Sequence, residues 1–122
     1  MEPTRVAVQL AIALGIFNVW IVRYGQATQW RGGDAQNMQQ EFKFYGLSDR
    51  FRFLIGITKV SLAVLLIVGV WIPVVAAAAG AVMAVLMLGA VAMHVRVSDP
   101  LQKSAPAFGM MLLSVAVVVM NL

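Results

Sequence analysis

Residues 51–72 read FRFLIGITKVSLAVLLIVGVWI, an apolar run with one lysine, Lys59, set well inside it. About 20 apolar residues at ~1.5 Å rise per residue cross the ~30 Å hydrocarbon core of a bilayer, so the run predicts a transmembrane helix. An ammonium group within that core is costly. It is kept either for a function or with its head snorkelling out to the interface.

Composition removes the water-soluble alternative. The chain is 61% hydrophobic and 11% charged, with mean hydropathy +0.88; soluble domains carry about 45–50% apolar and ~25% charged residues. Four long apolar segments and one polar loop use up the 122 residues, which predicts a single membrane domain over 1–122. Cysteine is absent, which excludes disulfides, CxxC redox chemistry and thiolate metal sites within the chain. With one histidine, a zinc site would need carboxylates and a second chain, so no metal is expected. The net charge of +4 comes without a basic run interleaved with aromatics, so nucleic acid is not an expected partner.

The expected fold is all-α: four transmembrane helices, at about 5–22, 51–72, 74–95 and 105–121, in an antiparallel bundle. Ala11-Ile12-Ala13 resembles a signal-peptide cleavage site, but it lies in the middle of the first apolar run, so a retained anchor is expected. Ala7, Ala11 and Gly15 recur every four residues, with Asn18 following at i+3, a spacing that lets helices approach closely in lipid. In the third helix Ala76, Gly80, Ala84, Met87, Val91 and His94 share one face. Ser48 suits the N-cap of the second helix, with Asp49 in its first turn. Pro73 turns the chain into the third helix, and both Asp99-Pro100 and Ser104 with Pro106 offer a start for the fourth.

Between the first two helices lies the only long polar segment. Asp34 can cap a short helix over about 35–46, in which Met38, Phe42 and Tyr45 fall on one side and Gln36, Gln40 and Lys43 on the other, with Gly46 at C′. That pattern predicts an amphipathic helix in the headgroup region, with Met38, Phe42, Tyr45, Arg23 and Arg52 as interfacial residues. A lid that merely covers the bundle end and a substrate gate are its two possible roles. The Arg31-Gly32-Gly33 turn offers a weak phosphate-contact signal.

Charge counting predicts the orientation. Arg23, Arg31, Lys43, Arg50, Arg52, Arg96 and Lys103 flank loops 1 and 3, against Arg5 alone on the other side. Loops 1 and 3 are therefore expected in the cytoplasm and both termini outside. Asn18, Lys59 and His94 all approach the cytoplasmic end, on faces lined by small residues. They predict a shared polar pocket, with Glu41 and Asp99 as countercharges. Lys59 lies about eight residues, or roughly 12 Å, from that end. Snorkelling is the competing account for Lys59, and a place at the helix C-terminus facing headgroups accounts for His94 taken alone. The eight methionines fit adaptable packing better than a copper or haem site.

Asn18-Val19-Trp20 with Arg23, Arg31-Gly32-Gly33-Asp34, Glu41-Phe42 and Tyr45-Gly46-Leu47 together resemble the DoxX-like membrane proteins. Gly56 with Lys59, the runs 65–71 and 87–94, and Asp99-Pro100 with Lys103 extend the resemblance over nearly the whole chain. It implies a four-helix membrane bundle with a loop segment after the first helix. Many members carry glutamate where this chain has Lys59 and others carry lysine, so no catalytic residue set is carried over. Relatives include a subunit associated with thiosulfate:quinone oxidoreduction and, more distantly, assembly factors for membrane receptors. The expectation is an accessory or binding protein of a bacterial inner membrane rather than an enzyme. It would hold a quinone or an anionic lipid near Lys59, in association with a redox enzyme. The alternative is an assembly factor or structural subunit without a ligand, using its small-residue seams on another membrane protein or on a second copy as a homo-oligomer. Transport ranks behind both, since the halves show no matching interrupted helices.

Overall fold

The computed structural model describes residues 2–122, and the described residues contain helices and no strand. The helices are α1 (Pro3–Phe17), α2 (Met38–Phe44), α3 (Asp49–Val68), α4 (Pro73–Arg96) and α5 (Leu101–Met120). A π-helical turn over Asn18–Val22 extends α1. With that turn, α1 forms a span of 20 residues, and α3, α4 and α5 supply spans of 20, 24 and 20. Each is long enough for a ~30 Å hydrocarbon core. The protein is an all-α integral membrane protein.

Helix α1 packs on α3, α3 on α4, α4 on α5, and α5 returns to α1. The four spans therefore close a ring. The long loop with α2 and the α4–α5 turn share one end, the loop end; the chain termini and the α3–α4 turn share the other, the terminal end. Ile12, Ile16, Leu66, Met83 and Val117 fill the axis, with Ala13, Ala63, Ala76 and Ala79 where helices come closest.

The seams differ from the expected ones on α1. Its inner face is Gln9, Ile12, Ala13 and Ile16, while Ala7 and Ala11 point outward and Gly15 meets Met110. Large residues fill the axis and set the rotation of α1, so Ala7 and Ala11 lie on its outer face and only Gly15 of the stripe packs on a neighbour. The α4 stripe is internal: Ala76, Gly80, Met87 and His94 are buried. A Cβ on Gly80 would stand 3.0 Å from the Ser114 carbonyl oxygen and 3.1 Å from Val117 Cγ1, the close approach that small residues permit in lipid.

Local chemistry sets the ends. Glu2 caps α1, accepting from the Thr4 and Arg5 N–H groups at 2.9 and 3.0 Å, with Pro3 in the first turn. Ser48 caps α3 as expected, accepting from the Phe51 N–H at 3.1 Å. Helix α5 starts at Leu101, four residues before the expected position, because Asp99-Pro100 is the start that is used. Pro106 then lies inside the helix.

The terminal end holds a polar cluster that the sequence reading passed over. The last carbonyls of a helix have no intrahelical donor, and hydrocarbon supplies none. Gln9, fully buried, donates to the Leu66 carbonyl at 2.9 Å; Arg5 donates to the Gly69 and Val70 carbonyls at 3.3 and 3.0 Å. Asn121 ties α5 in, accepting from Arg5 at 2.8 Å and donating to Gln9 at 3.0 Å. Arg5 is thus a cap on the end of α3 as well as a flanking charge.

Candidate functional site

The loop segment is a lid. Helix α2 is shorter than expected and its cap is Asn37, whose side chain accepts from the Gln40 N–H at 2.8 Å, not Asp34. It ends as expected at Gly46, with φ +79°: the Leu47 N–H reaches the Phe42 carbonyl at 2.9 Å and the Gly46 N–H the Lys43 carbonyl at 3.0 Å. Met38, Phe42 and Tyr45 are buried, so the apolar face of α2 covers the bundle instead of entering the headgroups. The bundle is open at that end and offers an apolar surface that competes with lipid for this face. Arg23 is exposed, and Arg52 pairs with Asp49 at 2.6 Å.

A chain of buried polar groups fastens the lid. Arg31, 4% exposed, donates to the Gln26 carbonyl at 2.7 Å, the Arg23 carbonyl at 2.6 Å and Glu41 Oε2 at 2.9 Å. These bonds occupy its guanidinium, so the phosphate contact expected of this turn is not available. Glu41 Oε1 accepts from the Tyr45 hydroxyl at 3.1 Å. Burial, reinforced by the Glu41 carboxylate, raises the Tyr45 phenol above its ordinary value, so it stays protonated and donates. The Tyr45 hydroxyl also stands 3.4 Å from His94 Nε2, with the two rings edge to face.

His94 Nδ1 lies 2.8 Å from Asp99 Oδ2. The approach is made by the end of α4: Ser98 takes φ +60°, the Asp99 N–H bonds back to the His94 carbonyl at 3.0 Å, and the chain folds over the ring. Asp99 Oδ1 accepts from the Gly33 N–H at 3.1 Å, and Lys103 Nζ donates to the Gly33 carbonyl at 2.5 Å. Burial alone would raise the Asp99 carboxyl. Hydrogen bonds from His94 and Gly33, with Lys103 nearby, outweigh it and hold the group below its usual value. An ionised carboxylate only accepts, so His94 Nδ1 carries the proton and Nε2 faces Tyr45.

Beneath the lid is a cavity of about 720 Å³. Arg31, Glu41, Tyr45, His94 and Lys103 form its lid side, and Ile16, Leu86, Met87 and Met110 its deeper walls. Val19, Trp30 and Pro106 on one side, and Phe51 and Val85 on the other, line it and also carry exposed surface. The cavity is therefore lined in part by residues that also reach the exterior of the bundle. Lys59 is 9% exposed and lines the cavity, with Nζ 5.8 Å from the Trp20 ring centroid. Trp20 packs on Gly56 and, edge on, against Phe42 of the lid. Among the described residues, Lys59 Nζ donates no hydrogen bond to protein.

The structure brings Lys59, His94 and Glu41 to one cavity and ties Asp99 to His94 just behind its wall. Asn18 also lines the cavity, but at its rim: its side chain is exposed and accepts from Arg23 Nε at 3.3 Å. It continues the outward stripe of Ala7, Ala11 and Leu14, so the rotation of α1 that turns Gln9, Ile12 and Ile16 inward leaves it at the edge, just before the π turn closed by the Arg23 N–H on the Asn18 carbonyl at 2.8 Å. Tyr45, expected only as an interfacial residue, is the bridge between the two buried acid pairs. Its position one turn after Glu41, on the same side of the loop helix, was the available signal.

No curated protein and no solved structure matches the chain. A family model, the DoxX-like family, matches residues 27–119, from the lid to the end of α5. With the four spans and the loop segment in the order described, the chain belongs to the DoxX-like family.

Proposed function

We propose that this protein is a membrane accessory or binding protein that holds one lipophilic molecule with a polar head, a quinone or a lipid, in the cavity under the lid. The observation that carries the reading is Lys59: a residue 9% exposed, lining a 720 Å³ cavity, whose ammonium group has no protein acceptor among the described residues. A buried charge without a partner costs several kcal/mol, and an oxygen on a bound head group offsets that cost. The apolar deeper walls suit a hydrocarbon tail, and pockets of ~300–1,000 Å³ enclose one small ligand.

The basic residues support a cytoplasmic loop end and external termini. The head group then comes from the cytoplasmic leaflet, and a redox enzyme served by a bound quinone would approach from the same side. The test is native mass spectrometry of protein extracted from membranes. Wild type is expected to retain a lipophilic molecule that Lys59→Met loses; equal retention by both sinks the reading. A reporter active only outside the membrane should be active after Leu122 and silent when inserted near Gly33. The reverse pattern overturns the orientation.

A further inference from the structure

We propose that the occupant is a single-tailed amphiphile whose head carries one negative charge. The inference rests on the cavity being a ligand site and selects among the ligands it can take. Four cations, Arg23, Arg31, Lys59 and Lys103, line the cavity against one carboxylate, Glu41, and Asp99 stands just behind the wall. Both carboxylates are committed. Glu41 accepts from Arg31 and Tyr45, and Asp99 from His94 and the Gly33 N–H. Arg31 is spent within the lid, Lys103 on the Gly33 carbonyl beside Asp99, and Arg23 is exposed at the rim on Asn18. Lys59 is left, nine-tenths buried, with only the face of Trp20 beside it.

A neutral carbonyl oxygen can accept one hydrogen bond from that ammonium but leaves its charge uncancelled in a low-dielectric site. An anionic oxygen does both, and charge-assisted hydrogen bonds are roughly twice as strong as neutral ones. Only one free charge is buried, so one anionic charge balances it. The tail count follows from the room beneath the lid. Ile16, Met87 and Met110 floor the cavity, and the close-packed Ile12, Leu66 and Met83 lie deeper. The cavity of about 720 Å³ lies in the ~300–1,000 Å³ range that encloses one small ligand, which leaves room for one chain with its head group rather than two. A fatty carboxylate and a lysophospholipid with a single phosphodiester charge share this chemistry.

The test titrates purified protein, followed by native mass spectrometry, with four probes: hexadecanoate, palmitoyl lysophosphatidylglycerol, hexadecanol and a decyl-tailed benzoquinone. The two anions are expected to bind one per chain, at least about tenfold tighter than hexadecanol and the quinone. The tighter of the two identifies the source. Lys59→Met and Lys59→Gln should each erase the preference, and Lys59→Arg should keep it; the Gln variant serves if the Met variant misfolds. Hexadecanol or the quinone binding as tightly as hexadecanoate overturns the inference while leaving the cavity a ligand site. Binding of none of the four, with nothing retained from membranes, defeats both.

Discussion

Asp99→Ala tests whether the lid is a separately held unit. The carboxylate accepts from His94 Nδ1 at 2.8 Å and from the Gly33 N–H at 3.1 Å, and its side chain is 6% exposed, so solvent replaces little of what is lost. Hydrogen bonds to a charged group are worth about 1.5–3 kcal/mol each; allowing for relaxation, the pair should cost about 2–4 kcal/mol. At ~1.4 kcal/mol per factor of ten, local opening of the lid rises about 30- to 700-fold. Amide hydrogen exchange in detergent micelles reads this directly. The Met38 N–H on the Tyr24 carbonyl, the Ala35 N–H on the Gly32 carbonyl and the Leu47 N–H on the Phe42 carbonyl should all exchange faster. Amides in the middle of α3 and α4 should not change. Asp99→Asn keeps an acceptor for Gly33 and should fall between. Acidification should reproduce the effect in wild type. The folded-state value of Asp99 is depressed, so its stabilisation is complete above the ordinary carboxylate value near ~4 and is lost as pH falls through the depressed one. Unchanged lid exchange in Asp99→Ala, with the variant folded, would refute the latch.

Three further outcomes follow from the same geometry. Ser98 holds φ +60° to fold Asp99 over His94, so Ser98→Gly should raise thermal stability by about 0.5–1 kcal/mol, read as a higher melting temperature; a lower one contradicts the strain. Gln9→Leu leaves the Leu66 carbonyl without its donor in hydrocarbon and should cost about 1–3 kcal/mol in the same melt, although the substitution is more apolar. Gly80→Leu should cost about 1–3 kcal/mol or more by overpacking α4 against α5, whereas Gly109→Ala, with nothing within 4 Å of its new Cβ, should be neutral or stabilising by up to ~1 kcal/mol.

The sequence by itself determined that this chain lives in a bilayer, how many times it crosses, and that Lys59, His94 and Glu41 gather at the loop end. Spanning length, hydropathy, Ser48, Gly46 and Pro73 are local signals, read within a few residues of where they act. The α4 stripe from Ala76 to His94 was legible too, because helical period alone places it. The tertiary structure decided the rest. Nothing local distinguishes Ala7 and Ala11 from Gln9 and Ile12 as the inner face of α1; the shape of the axis and the uncapped carbonyls of α3 make that choice. The same rotation leaves Asn18, in line with Ala7, Ala11 and Leu14, at the rim. The lid face of α2 has the same pattern whether lipid or protein covers it, and only the open bundle end beneath it selects protein. The partners of Asp99 and Arg31 are long-range or backbone groups, such as Gly33 for Asp99 and the Arg23 carbonyl for Arg31. A sequence marks which groups must find a partner in hydrocarbon; the packed helices decide which one they find, and they left Lys59 facing a cavity.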